Sequence, residues 1–234
     1  MIYVIILLSL LFVTIGLIVT KNNAKYLLSG YNMMNEEERQ KIDIKAYITY
    51  FRKFHFVLGV SFFMIGIALT YLVSENAGGI FLVAYPILAY IYFLKRSTKY
   101  SPGMSSRWSK VGVIVLAATL LFVLGLIGYG FRENALIIEA DSIQISGSYG
   151  ETLSPSEIQS VELVSQLPDI SIKTNGFALG SVKKGYFKTQ EGEVVKLVLN
   201  SGIQPVILIT KVNGERLYYS AKNQLNATLL EEIG

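Results

Sequence analysis

The sequence contains no cysteine and a single histidine, His55. The first absence excludes disulfides, thiolate nucleophiles and cysteine metal sites. The second leaves no partner for a Ser-His-Asp or Cys-His arrangement in the C-terminal half and removes the usual ligand set for zinc. Charge is also scarce: Asp, Glu, Lys and Arg make up 16% of the chain and hydrophobic residues 52%, against roughly 25% charged in an ordinary soluble domain. The scarcity is uneven. Residues 1–130 hold the long apolar runs, whereas residues 131–234 read like a water-soluble sequence, with the boundary near Phe131-Arg132-Glu133-Asn134.

Four apolar stretches reach the roughly 17–25 helical residues that cross a hydrocarbon core: Ile2 to Thr20, Phe54 to Val73, Gly78 to Leu94 and Val111 to Gly130. The third is short and contains Pro86, which predicts a kink; crossing is the favoured reading, and a re-entrant hairpin with the second stretch is the alternative. The first stretch has no preceding positive charge and no Ala-x-Ala site, so it reads as an uncleaved helix rather than a signal peptide. None of the stretches contains Asp, Glu, Lys or Arg, which argues against an ion pathway.

The loops set orientation. Residues 21–53 carry seven Lys and Arg, the connection Ser74 to Gly78 carries none, and residues 95–110 carry five. The basic connections belong on the cytoplasmic side. Four spans then place both termini and the C-terminal region outside. Residues 1–130 carry twelve basic residues against five acidic ones, residues 131–234 nine against twelve. The basic excess is therefore a topology signal and not a nucleic-acid footprint. Tyr100 and Trp108 fit the interfacial aromatic belt.

Within the first connection, Asn35 followed by Glu36, Glu37 and Glu38 predicts a capped helix start. Ile44, Tyr47, Ile48 and Phe51 follow at helical spacing with Lys41, Lys45, Arg52 and Lys53 around them. The pattern predicts an amphipathic helix over 36–53 lying in the inner lipid interface and running into the second span. Beyond residue 131, short β-branched runs predict strands at 135–140, 142–146, 159–165, 169–174, 184–189, 193–199, 204–212 and 215–220. Turns are marked by Asn175-Gly176, Glu191-Gly192, Ser201-Gly202 and Asn213-Gly214. Asn223 to Ile233 carries a helical pattern. The fold class is thus a membrane α-helical region (1–130) followed by an all-β domain (131–234) closed by one helix.

Two resemblances rest on particular residues. Leu28-Ser29-Gly30-Tyr31-Asn32, followed by Asn35-Glu36-Glu37-Glu38 between two apolar spans, resembles an uncharacterised family of small bacterial membrane proteins, a domain of unknown function with a Gly-Tyr-Asn loop. It is more distantly similar to Sdp-type toxin-immunity proteins, which have a Gly-Tyr-Arg loop where this chain has Asn32. Tyr149-Gly150, Leu167-Pro168, Thr174-Asn175-Gly176 and Lys184-Gly185-Tyr186-Phe187-Lys188 together resemble a bacterial pleckstrin-homology-like (PH) domain, which implies a β-barrel plugged by a C-terminal helix. A fold does not carry its best-known ligand with it.

These readings predict a non-enzymatic integral membrane protein of the bacterial cell envelope, with no cofactor, whose extracytoplasmic domain is a binding or scaffold module. Immunity against an antimicrobial peptide or toxin is the alternative. Gly30, Tyr31 and Asn32 are one candidate binding site, with an interfacial turn as the structural reading: Gly30 at positive φ, Asn32 capping, Tyr31 as anchor. Lys183, Lys184 and Lys188 are the other, as a patch for anionic lipid or wall polymer; a protein partner is the remaining possibility, and solvated strand charge the structural reading. His55 is expected as an interface side chain rather than a proton switch. Glu191 and Glu193 are expected as solvated turn residues.

Overall fold

The computed structural model describes residues 1–32, 34–100 and 106–222, the side chains of 29–30 and 106–108 excepted. The helix expected over Asn223 to Ile233 and the Trp108 side chain lie outside these. The chain divides into two units, Met1–Gly125 and Leu126–Gly234.

In the first unit, α1 (Ile2–Ile18) is apolar on every side. Its buried residues, Ile5, Ser9, Phe12 and Gly16, form a single stripe at helical spacing. That stripe packs on α5, Leu8 and Ile15 are half-buried beside it, and the remaining Leu and Ile side chains are exposed. Seventeen residues rise about 25 Å, so α1 ends two residues before the expected limit at Thr20 and is short for a span. Two single turns, α2 (Ala24–Leu27) and α3 (Ser29–Asn32), and the short α4 (Glu36–Gln40) follow. Next come α5 (Ile44–Ala68, extended by a π-helical turn, Leu69–Val73) and α6 (Glu75–Ser97, extended by a 3₁₀ turn to Tyr100). The last helix is α7 (Ser106–Gly130). The helix through the second stretch, the one through the third and the stretch Ser109–Gly130 of α7 are each long and apolar enough to cross a membrane. The third stretch is thus a full-length helix, continuous through Pro86.

The amphipathic helix expected over 36–53 is divided. Asn35 caps α4 through the reciprocal box with Glu38, as its sequence predicts. The chain then breaks, and Asp43 caps α5 by accepting from the Ala46 amide at 2.9 Å. Its supposed lipid-facing residues point into protein. Ile48 and Phe51 are buried with Val19, Ala24 and Phe93, and Ile44 and Tyr47 pack against that cluster. Helical periodicity reports an apolar face without saying whether lipid or another helix covers it. Here α1 and α6 cover it.

Glycine allows α1 and α5 to approach. A Cβ on Gly59 would lie 2.6 Å from Val13 Cγ2 and 2.7 Å from the Ser9 carbonyl oxygen, the small-residue contact by which membrane helices pack. Gly59→Leu is expected to lower the temperature at which the detergent-solubilised protein aggregates, since overpacking costs about 1–3 kcal/mol. Gly125→Leu, where a Cβ meets nothing within 4 Å among the described residues, should leave that temperature unchanged.

The second unit holds the end of α7 and two sheets. Strands β1 (Leu136–Ile138), β2 (Ile143–Ile145) and β3 (Glu151–Leu153) form an antiparallel meander. Strands β4 (Ile158–Val164), β5 (Ile170–Leu179), β6 (Val182–Thr189), β7 (Val194–Leu199), β8 (Val206–Lys211) and β9 (Arg216–Ser220) form a six-stranded sheet in the order β4-β8-β9-β7-β6-β5. The expected barrel is not formed: β4 and β5 end the sheet without pairing to each other, and β7 and β9 run parallel. The burial pattern gives the reason. A small barrel wall buries its inward-facing residues and alternates, whereas β7, β8 and β9 bury nearly every residue. Ile207, Ile209, Leu217 and Tyr219 pack with Ile145 and Leu153 of the small sheet; Phe187, Val195, Leu197, Leu208 and Tyr218 form a second cluster.

Asn175-Gly176 is not a turn. The β5–β6 pairing continues through it to Leu179, opposite Val182, and the chain reverses at Gly180 and Ser181. Gly176 and Gly185 face each other across the two strands with φ of 142° and 130°. Glycine serves here for close backbone approach, the second meaning it has in a strand.

Candidate functional site

The first candidate, Gly30-Tyr31-Asn32, forms one helical turn with Ser29 in place of a tight turn with Gly30 at positive φ. Its main chain is engaged from within the protein. Arg39 donates through Nε to the Tyr31 carbonyl at 3.2 Å and through Nη2 to the Asn32 carbonyl at 2.9 Å. The same guanidinium stands 5.6 Å from the centre of the Tyr31 ring, a cation–π distance. Tyr31 also packs at the edge of the Val19–Ala24–Phe93 cluster. Nearby, Arg52 donates twice to the Val19 carbonyl, at 3.2 and 3.0 Å, where α1 ends. Charge counting treats Arg39 and Arg52 alike, as topology signals. The structure gives both the further task of satisfying carbonyls that a terminating helix leaves open.

His55 is 1% exposed and so is not an interface side chain. Its ring lies among Phe51, Phe54, Tyr90 and Phe93, and Gly16 of α1 lies against its Cβ. Nδ1 lies 2.8 Å from the Phe51 carbonyl and must donate to it. Nε2 is then the acceptor for the Tyr90 hydroxyl at 3.2 Å. Both ring nitrogens are occupied, and the histidine joins α5 to α6.

The second candidate, the lysine patch, is divided by burial beneath residues 130–136. Lys188 is exposed and Lys183 half-buried, while Lys184 is fully buried and cannot meet a ligand at the surface. Its ammonium donates to the Arg132 carbonyl. Burial holds its pKa below the ordinary lysine range, opposed by the nearby Glu133 carboxylate.

That contact belongs to a polar clasp that local sequence does not reveal. Residues 130–136 lie across the strands along one row of the register, in which Phe177, Lys184, Val198 and Tyr219 are successive neighbours. Phe131 packs edge-on against Phe177 at 5.5 Å, and Gly130 lies so close that a Cβ would fall 2.5 Å from that ring. Arg132 meets Lys184. Asn134, wholly buried, donates its amide to Asn200 Oδ1 at 2.8 Å and its side chain to the Ser146 and Ser148 carbonyls. The Asn134 carbonyl accepts from Asn200 Nδ2 at 2.8 Å and from the Tyr219 hydroxyl at 3.0 Å. That hydroxyl accepts in turn from the Leu136 amide at 3.1 Å. These partners lie up to 85 positions apart in sequence, so no spacing rule could have found them. The clasp fixes the exit from α7 to the sheet.

Further along the sheet, Glu151 bridges Lys196 at 3.3 Å and Lys211 at 2.7 Å, and Lys211 also meets Glu215. Glu193, expected as a solvated turn residue, pairs with Arg216 across the sheet. These pairs join strands and use their charges internally.

Residues 6–101 match the family described as Domain of unknown function (DUF3784). The match covers the Gly-Tyr-Asn turn, α5 and α6, and stops before α7 and the sheets. No curated protein and no solved structure matches the chain.

Proposed function

We propose that this chain is a non-enzymatic, four-span membrane protein whose C-terminal domain is a binding or scaffold module held on the extracytoplasmic side. The clasp around Asn134 carries the reading. A flexible tether would suit a domain that searches for partners. A domain whose first residues are hydrogen-bonded into its sheet has no slack at its entry, as suits a module that presents one face. The basic first and third connections and the second, free of Lys and Arg, support the orientation. Three helices satisfy the length test. In this reading α1, apolar on every side and packed on α5, is the fourth span, its shortness met by local thinning of the bilayer.

Because the chain has no cysteine, single-cysteine variants report accessibility against a clean background. Glu139→Cys is expected to react with a membrane-impermeant maleimide in intact spheroplasts, and Lys45→Cys only after permeabilisation. The reverse pattern would put the domain inside and invert the proposed orientation.

A further inference from the structure

The charge of the second unit is polarised. The hairpin of β5 and β6, Ile170–Thr189, contains Lys173, Lys183, Lys184 and Lys188 and no acid, while the rest of 131–234 has five basic residues against twelve acidic ones. Two geometric facts give this basic hairpin a place. The segment crossing the sheet from Leu136 back to Gly130 reaches β5 last, and Phe177 of that strand packs on Gly130 and Phe131, where α7 ends. Strand β5 also ends the sheet, so its outer edge is unpaired among the described residues. From Ser171 to Asn175 every residue is exposed, including Ile172 at 59%. The register sets Lys188 beside Ile172 and Lys183 beside Ala178.

We infer that the β5 edge, with Lys173, Lys183 and Lys188, rests on the bilayer from which α7 emerges and holds anionic phospholipid headgroups. The inference rests on α7 being a span, because only then is Phe177 at membrane level. The chemistry fits. Lysine ammonium groups are drawn to an anionic membrane surface. Ile172, exposed between Ser171 and Lys173, can enter the headgroup boundary. Lipid also resolves the hazard of an unpaired ten-residue edge, which otherwise invites pairing with another chain. Lys184 takes no part, being committed to Arg132.

The test uses full-length protein in vesicles with a nitroxide on the lipid headgroup and an environment-sensitive fluorophore on single cysteines. Tyr129→Cys, on α7, reports whether that helix spans and should be quenched in all vesicles. Ile172→Cys should be quenched several-fold more than Asn213→Cys, in the exposed β8–β9 turn, when the vesicles contain phosphatidylglycerol. In phosphatidylcholine alone, in high salt, or with Lys173, Lys183 and Lys188 all changed to Gln, the difference should shrink, as screening of exposed charge requires. Equal signals at 172 and 213 with Tyr129→Cys quenched would overturn the docking edge and leave the span intact. An unquenched Tyr129→Cys would overturn the span itself. Quenching at 172 that ignores phosphatidylglycerol, or appears only when anionic wall polymer is added, would overturn the assignment to anionic lipid.

Discussion

Replacing Asn200 by Ala is expected to cost the C-terminal domain about 3–4 kcal/mol, from lost hydrogen bonds, an orphaned buried donor and a small cavity. Asn200 accepts from the Asn134 amide and donates to the Asn134 and Ser220 carbonyls. Its loss leaves the Asn134 amide buried with no acceptor in the described geometry, whereas the Asn134 carbonyl keeps Tyr219. For a domain near 100 residues this corresponds to a fall of roughly 15 °C in melting temperature. Thermal proteolysis of the full-length protein in nanodiscs, with fragments identified by mass, would read it. Tyr219→Phe should cost less, about 1–2 kcal/mol, and should change the alkaline limb. Burial pushes the Tyr219 hydroxyl up to about 12, and the Glu133 charge adds to that against the hydrogen bond from Leu136. A raised folded pKa means the stability is fully present below about pH 10 and lost as pH rises from 10 toward 12. The Phe variant should lack that component of alkaline destabilisation.

Gly185→Ala is expected to be at least as damaging, for a different reason. At φ of 130° an L side chain is strained, and the new Cβ would sit 2.2 Å from the Asn175 carbonyl oxygen and 2.7 Å from Gly176 Cα. Both obstacles are backbone and cannot swing aside. Strain of about 1–3 kcal/mol adds to a similar cost of overpacking. The variant should therefore separate β5 from β6 at the point where Phe177 meets the end of α7. Gly214→Asn is the comparison: φ is 87° there and nothing stands within 4 Å among the described residues, and Asn tolerates that region. The two variants should differ by several degrees or more in thermal proteolysis. Equal melting would mean the paired glycines are replaceable and the close approach of the strands is not required.

The sequence is most informative where one physical term dominates. Uninterrupted apolar runs locate the helices because lipid demands both length and lack of charge, and the Asn35–Glu38 box marks α4 because capping is local. It is less informative where a pattern has two causes. Ile44, Tyr47, Ile48 and Phe51 have the spacing of a lipid-facing stripe and are covered by protein. Asn175-Gly176 has the letters of a turn and the geometry of a strand crossing. Strand order was not legible, since the pairing of β7 with β9 depends on contacts far apart in the chain. Of the candidate residues, Tyr31 and Asn32 proved to be held by Arg39. Lys184 proved to be a buried donor, while Lys183 and Lys188 kept some exposure at the surface. Lys173 was missed because a single lysine in a strand carries no signal until its neighbours in space are known.

The central claim, that the entry segment of the β-domain is held firmly on its sheet, can be measured as a distance distribution. Spin labels at Tyr129→Cys and Asn213→Cys, both exposed and in the same unit, span the clasp. Double electron–electron resonance on the full-length protein in nanodiscs should give one narrow distribution, which Asn200→Ala broadens. A distribution already broad in the parent protein would contradict the account and make the domain a tethered module.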